Sequence, residues 1–262
     1  MPGLTSISEE LTLSNRGYKL MKQLGEGSYA KVFLAEYSFN KADSGSTKIL
    51  ACKIIDTSKA PRDFVKKFLP RELDILVKIN HPHIVHVHSI FQRKVKYYIF
   101  MRFAENGDLL EFILKRGAIS EAQARVWLRQ LALGIQYLHD MDIAHRDLKC
   151  ENVLITNNYN VKIADFGFAR FVTEPDVTKR YRIEQVLSSE WMAMDPRLAQ
   201  LNAAEQAAMV EAQQGKRRHL EGTAKTAARK ATDEEMTILK EGKEDDKDKQ
   251  MHNLSTPSLF AQ

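Results

Sequence analysis

Cysteine is scarce in this chain, with two thiols, Cys52 and Cys150, in 262 residues. They form no CxxC pair and are too few for a disulfide framework, which points to a reducing compartment, cytoplasmic or nuclear. No apolar run approaches the roughly 18 residues a membrane span requires, so no membrane association is expected. The opening segment MPGLTSISEELTLSNRGY has no basic stretch followed by an apolar one, and no secretory leader is expected. Formal net charge is +5. The positive residues are not gathered in one block, so nucleic acid is not expected as a partner. No internal repeat is evident. The apolar share, 44%, is enough for one large domain or two small ones.

Patterning divides the chain. YKLMKQLGEG, YAKVFLAEYSF, KILACKIID and HIVHVHSIFQRKVKYYIFMRF carry alternating or β-branched apolar positions and predict strands. PRDFVKKFLPRELDILVKIN predicts a helix that Pro70 splits in two. NGDLLEFILKRG predicts a short helix closed by Gly117. In SEAQARVWLRQLALGIQYLHDM, Ser120 is an N-cap. Ala124, Trp127, Leu128, Leu131, Ile135 and Leu138 form one helical stripe. NVLITNNYNVKIAD predicts a hairpin with an Asn-rich turn. RIEQVLSSEWM and LAQLNAAEQAAMVEAQQ are helical by pattern, the Ala/Glu-rich part near 200–214 reading as a solvated helix. From about Lys216 the chain is charged and poor in aromatics, as in a disordered or loosely helical tail.

Several residue types sit where phosphate chemistry would use them. Gly25 and Gly27, between two strands, let a backbone approach a phosphate without a Cβ in the way. A plain hairpin turn explains such a pair as well. The third small residue is Ala30. Lys53 lies in an apolar strand, which is costly unless its ammonium meets an anion. It is otherwise an edge lysine facing water. Glu72, on the following helix, is placed to pair with it, and by itself reads as a solvated helix residue. In HRDLKCENVLITNNYNVKIADFG, Asp147 can accept a proton from a hydroxyl or orient it, and Lys149 can neutralise a moving phosphoryl group. Asn152 and Asp165 offer hard oxygen ligands for Mg²⁺. Each alone is a surface polar group by default; together they match what phosphoryl transfer needs.

GEGSYAKV, ACK, HRDLKCEN and DFG, in this order, resemble the protein kinase family over about Tyr18 to Phe171. Lys149 in HRDLKCEN is similar to the serine/threonine branch. GDLLEFI, HRDLKCENVLI and DFGFAR resemble testis-specific serine kinases within the calmodulin-kinase-like group. The resemblance implies an α+β, two-lobed fold with a β-rich N-lobe and a helical C-lobe. It implies ATP and Mg²⁺ as cofactors, serine and threonine hydroxyls of proteins as acceptors, and a role in sperm development. Gly25, Glu26, Gly27 and Ser28 would form the loop over the phosphates, and Lys53 with Glu72 would hold the α- and β-phosphates. Leu24, Val32, Ala51, Met101 and Leu154 would sandwich adenine, with Met101 as gatekeeper. Arg102 and Ala104 would bind adenine through the hinge backbone, Arg102 standing where Glu is common. Asp108 would approach the ribose or a basic substrate residue. Asp147 and Lys149 would be catalytic, and Asn152 and Asp165 would hold metal. His145 and Phe166 would pack in an internal spine, and Arg146 would meet a phosphate on the activation loop.

The resemblance then breaks. After DFGFARFVTEPD no APE motif follows, and the buried helix with Asp-x-Trp is absent. KRYRIEQVLSSEWM nevertheless resembles the last kinase helix, with Arg180, Leu187 and Trp191 matching. An internal deletion near Glu174 to Lys179, of roughly 80–100 residues by usual domain sizes, accounts for this. The expected divisions are an extension (1–17), an N-lobe (18–104), a partial C-lobe (105–175), a remnant of the last helix (176–195) and a charged tail (196–262). The apolar face of the 120–139 helix is expected to lose cover worth on the order of 10 kcal/mol, against about 5–15 kcal/mol for a whole domain. The tail, or a chaperone or scaffold partner, would have to cover it. The alternative function is a catalytically impaired isoform serving as a nucleotide-binding or interaction module. A small-molecule kinase is disfavoured by HRDLKCEN, and a metal site at His81, His83, His86 and His88 by their place in a helix-to-strand connection. Thr173 and Thr178 are the loop hydroxyls open to phosphorylation.

Overall fold

The computed structural model describes residues 7–38, 47–172 and 182–214. Thr173, Thr178, Arg180, the junction at 174–179 and the tail from 215 lie outside the described residues. The described elements, as far as Ala212, belong to one compact unit.

Five strands form an antiparallel sheet: β1 (Tyr18–Glu26), β2 (Ala30–Ser38), β3 (Thr47–Asp56), β4 (Val87–Arg93) and β5 (Lys96–Arg102), in the order β1-β2-β3-β5-β4. The period-2 pattern gives the sheet two apolar faces. Leu50, Cys52, Tyr98 and Phe100 pack on one side with Tyr18 and Ala35. Ile55 and Ile99 join the main core on the other. A short helix, α1 (Ile7–Asn15), closes the first face with Leu13. Its Glu9 is buried and meets Lys96 at 2.8 Å and the Tyr98 hydroxyl at 3.1 Å. The expectation of a plain extension for 1–17 missed this docking.

The predicted split at Pro70 is not observed as a break. A π-helical turn (Phe64–Phe68) runs directly into α2 (Leu69–Leu76). Pro70 sits in the first turn of α2, directly after the π-helical turn, and the helical run continues through it. α2 buries Leu69, Glu72, Ile75 and Leu76. Downstream, α3 (Leu109–Arg116) starts at the Asp108 cap and ends at Gly117, whose φ of +82° only glycine adopts cheaply. The long helix α4 (Glu121–Asp140) is capped by Ser120, as predicted. Trp127 and Leu138 are buried, but Leu128 is 39% exposed, so the predicted stripe is shifted toward Ala132, Leu133 and Tyr137. The predicted hairpin is present as β7 (Val153–Ile155) and β8 (Val161–Ile163). β6 (Ile143–Ala144) pairs with β9 (Arg170–Phe171).

The described part of KRYRIEQVLSSEWM, from Arg182 on, does not make one helix. It folds as α5 (Ile183–Leu187) and α6 (Glu190–Ala193), broken where the Ser189 side chain caps the second piece. Trp191 donates its indole N–H to Glu121 and lies under the Arg125 guanidinium at 4.8 Å. A 3-10 turn (Pro196–Ala199) leads to α7, residues 203–214. The expectation of a solvated helix here is corrected: Glu205, Ala208 and Ala212 are buried, the alanines within the main core. Alanine lets two helices approach closely, which is why an Ala-rich face reads as surface yet packs as core. The chain itself thus covers much of α4, although a cavity of about 470 Å³ remains between α4 and Leu187–Leu201.

Candidate functional site

A cleft of about 790 Å³ opens where the sheet meets the helical half. Leu24, Val32, Ala51, Met101 and Leu154 all line it. Met101 pairs in register with Ala51, and Ala51 with Leu34, so alternation along β3 delivers Ala51 and Lys53 to the cleft side while Cys52 turns away. The hinge residues Arg102 and Ala104 line the cleft as well, with the Arg102 side chain exposed and Ala104 buried. Asp108 lines it too, but its carboxylate is engaged in capping α3, accepting from the Glu111 N–H at 2.8 Å.

Lys53 is the electrostatic centre of this cleft. Its Nζ lies 2.8 Å from Glu72 Oε1 and 3.4 Å from Asp165 Oδ1. Glu72 is 3% exposed, so leaving it unpaired would be costly. Burial pulls the Lys53 pKa down, but Glu72 and then Asp165 more than offset this, and the net direction is upward. For Asp165, burial pushes the carboxyl up while Lys53 and the Gly167 N–H hold it below its usual range. Lys53 is therefore an ammonium and Asp165 a carboxylate at neutral pH.

Gly25 lines the cleft; Glu26, the last residue of β1, and Gly27 and Ser28 in the turn after it are not among its lining residues. Glu26 is exposed and paired with Lys31 at 2.9 Å. Neither Gly25 nor Gly27 has a positive φ, and a Cβ at either would meet no atom closer than 3.7 Å. The fold does not demand glycine at these positions, so their smallness leaves room for a group from outside the chain.

The loop after β6 supplies the second half of the site. Asn152 donates its amide to the Asp147 carbonyl at 2.8 Å and to Asp147 Oδ2 at 2.9 Å. Lys149 Nζ lies 3.2 Å from the same Oδ2, and this hydrogen bond raises the lysine pKa. With its nitrogen used, Asn152 has its amide oxygen for a cation. His145 accepts from the Asp147 N–H through Nδ1 at 3.3 Å and donates from Nε2 to the Ala164 carbonyl at 3.0 Å. Its ring stands edge-on to Phe166, centroids 4.9 Å apart, as the spine expectation required. Burial lowers the His145 pKa, keeping this tautomer neutral. Arg146 and Asp165 both hold left-handed backbone, φ +70° and +59°, a strain that persists only where surroundings enforce it.

Of the four histidines at 81–88, His81 and His83 are buried, and His83 donates from Nε2 to Glu205 at 2.7 Å. Burial drops the His81 pKa to about 3. Among the described residues no group of three His, Cys, Asp or Glu side chains is placed to hold a metal ion. No described helix is long and apolar enough to cross a membrane. Sequence reasoning missed Glu205: the signal was the reciprocal Asn-x-x-Glu cap with Asn202, obscured by the alanines around it.

Comparison with known proteins fits this geometry. The chain is 46% identical over 168 residues to testis-specific serine/threonine-protein kinase 1 of Mus musculus, covering 63% of this chain and 44% of the relative. It is 40% identical over 168 residues to testis-specific serine/threonine-protein kinase 4 of Homo sapiens, covering 64% and 49%. It is 38% identical over 152 residues to NUAK family SNF1-like kinase 2 of Homo sapiens, covering 58% and 23%. The chain thus spans less than half the length of these relatives. A family model described as the protein kinase domain matches residues 18–207, most of the chain and all of the cleft, and on that match the chain belongs to the protein kinase family.

Proposed function

We propose that this chain binds ATP with Mg²⁺ in the cleft between sheet and helices and transfers the γ-phosphoryl group to serine or threonine hydroxyls of proteins. The observation that carries this reading is Lys53, whose ammonium bridges a buried glutamate and an exposed aspartate across 112 residues of sequence. Such a lysine is held by Glu72 while facing the place where phosphates would lie. The open space at Gly25 and Gly27 fits a phosphate group, and Asn152 with Asp165 fits a magnesium ion, which takes one or two carboxylates and leaves other positions to phosphate and water. When bound, the metal would offset phosphate charge.

The chain's own groups divide the work. Leu24, Val32, Ala51, Met101 and Leu154 give the base two apolar walls, and the backbone at Arg102 and Ala104 offers hinge hydrogen bonds. Asp147, fixed by Asn152, orients an incoming hydroxyl and takes its proton. Lys149, beside it, supplies positive charge where the phosphoryl group moves. The names of the relatives suggest a testis setting, and a soluble, cytoplasmic protein is the simplest location.

The test is thermal shift by Mg·ATP. At a hundredfold excess over Kd, binding adds about 2.7 kcal/mol, so the wild-type midpoint should rise by several degrees. Lys53→Met and Asp165→Ala should each abolish the rise. Asp147→Asn should keep the rise and lose phosphate transfer to a generic protein substrate. A rise without transfer in the wild type would leave the alternative, a nucleotide-binding module; no rise would overturn both.

A further inference from the structure

We propose that Glu205, on α7, is a positioning residue for Asp165, acting through His83. This rests on the functional reading only for its consequence in metal binding; the structural link stands on its own contacts. The Glu205 carboxylate is 1% exposed and is gripped from three directions. Arg129 of α4 binds it bidentately, Nη1 to Oε1 at 3.0 Å and Nη2 to Oε2 at 3.1 Å. The Asn202 N–H donates to Oε2 at 2.9 Å, and His83 Nε2 donates to Oε1 at 2.7 Å. Arg129 also donates to the Leu198 and Gln200 carbonyls, tying down the chain that leads into α7.

His83 is the arm that reaches the site. Its carbonyl accepts from the Ile163 N–H at 2.9 Å, and the Ile163 carbonyl accepts from the Val85 N–H at 2.9 Å. Ile84 and Ile163 form a parallel bridge. β8 is thus fastened along its edge by residues 83–85, two residues before the strained Asp165. α4 presses on the same point, because a Cβ at Gly134 would lie 3.0 Å from Ile163 Cδ1 and 3.3 Å from the His83 carbonyl. From the other side the Ala164 carbonyl is held by His145. Glu205 therefore locks a three-way junction of α7, α4 and the 81–85 loop, and β8 hangs from it. No motif in the kinase resemblance assigns this residue a role.

The experiment uses the full chain and two readouts. His83→Asn removes the ring nitrogen that meets Glu205 while leaving the Arg129 pair; His83→Gln restores a donor at about the same reach; Glu205→Gln weakens both links. The first readout is amide hydrogen exchange without ligand. We expect exchange in the peptide spanning 161–167 to rise on the order of tenfold in His83→Asn and Glu205→Gln, to return toward wild type in His83→Gln, and to stay unchanged in β1–β3. The second is the ratio of ATP affinity with and without Mg²⁺. Loss of a partner that orients a metal ligand typically costs about 10- to 100-fold in metal affinity, so the ratio should fall in the two disrupting variants while metal-free affinity holds. Unchanged exchange at 161–167 in His83→Asn overturns the proposal, as does equal loss in β1–β3, which marks general destabilisation. Raised exchange together with no nucleotide binding in the wild type would uphold the positioning link and sink the functional reading instead.

Discussion

Lys162 lies on β8, buried, with its ammonium donating to the Pro82 carbonyl and no carboxylate in contact among the described residues. Burial, then the nearby Arg102 charge, lowers its pKa to about 8. The unfolded chain therefore binds more protons between about pH 8 and 10.5, and this group costs stability below that window, the cost fading as pH rises through it. A shift of this size corresponds to about 3 kcal/mol at most. Lys162→Met should be more stable than wild type by about 1–3 kcal/mol at pH 7 in urea titrations, with the gap closing toward pH 10.5. An equal gap at both ends would mean the ammonium is not desolvated. At this scale the sequence was informative where chemistry is carried by residue type and order. Lys53, Glu72, Asp147, Asn152 and Asp165 could be singled out by type and order, and the structure joins Lys53 to Glu72 and Asp165, and Asp147 to Asn152. Glu205 and Lys162 could not be, since their roles come from burial, and no local pattern announces that a glutamate or lysine will be enclosed.

At the scale of elements, period-2 alternation and capping residues carried the reading well. Ser120 starts one helix and Gly117 closes another where their chemistry says they should, while Asp108, expected near the ribose, also caps α3. Misreadings arose where a short element depends on a distant surface. α1 is nine residues long with Leu11 exposed and Leu13 buried, and its polar Glu9 is buried as well. That inverts the usual amphipathic signal. Its hold on the sheet comes from Leu13 and from Glu9 reaching Lys96 and Tyr98. Leu13→Ala should cost about 2–4 kcal/mol, measured as a lower urea midpoint. Leu11→Ala, one turn face away, should change stability by less than about 0.5 kcal/mol. Comparable losses in the two variants would show that α1 is not docked by this face.

The molecule as a whole compensates for what its sequence lacks. Helices that the resemblance leads one to expect after the DFG segment are missing from the sequence, and α5, α6 and α7 lie against α4 instead. The cover is incomplete, with Leu128 exposed and a cavity left near Leu133 and Met192. Ending the chain at residue 200 should remove Glu205, Ala208 and Ala212 together, leaving Arg129 as a buried, unpaired cation. Breaking a buried pair alone costs about 3–5 kcal/mol, so this truncation should melt well below the full chain or show no cooperative transition in calorimetry. A midpoint within a few degrees of the full chain would mean α7 is ornamental. Acid should probe the same junction. The Glu205 carboxyl is held down to about 2, first against burial and chiefly by Arg129 and His83, and burial lowers the His83 pKa. The lowered His83 pKa costs stability as pH falls below about 6.5, and the contribution of the Glu205 carboxyl, intact above about 4.5, is lost as pH falls from there toward 2, so the urea midpoint should drop across both windows.

Ala208 and Ala212 share one core with Ile55 and Leu69, and this has a consequence during synthesis. A ribosome that has released every residue lining the cleft, through Phe166, has not yet released the residues that finish the core beneath them. Until α7 emerges, the nascent chain lacks the two alanines that complete this core. Pauses in translation between these points would lengthen its exposure to chaperones and proteases, however stable the finished protein proves to be.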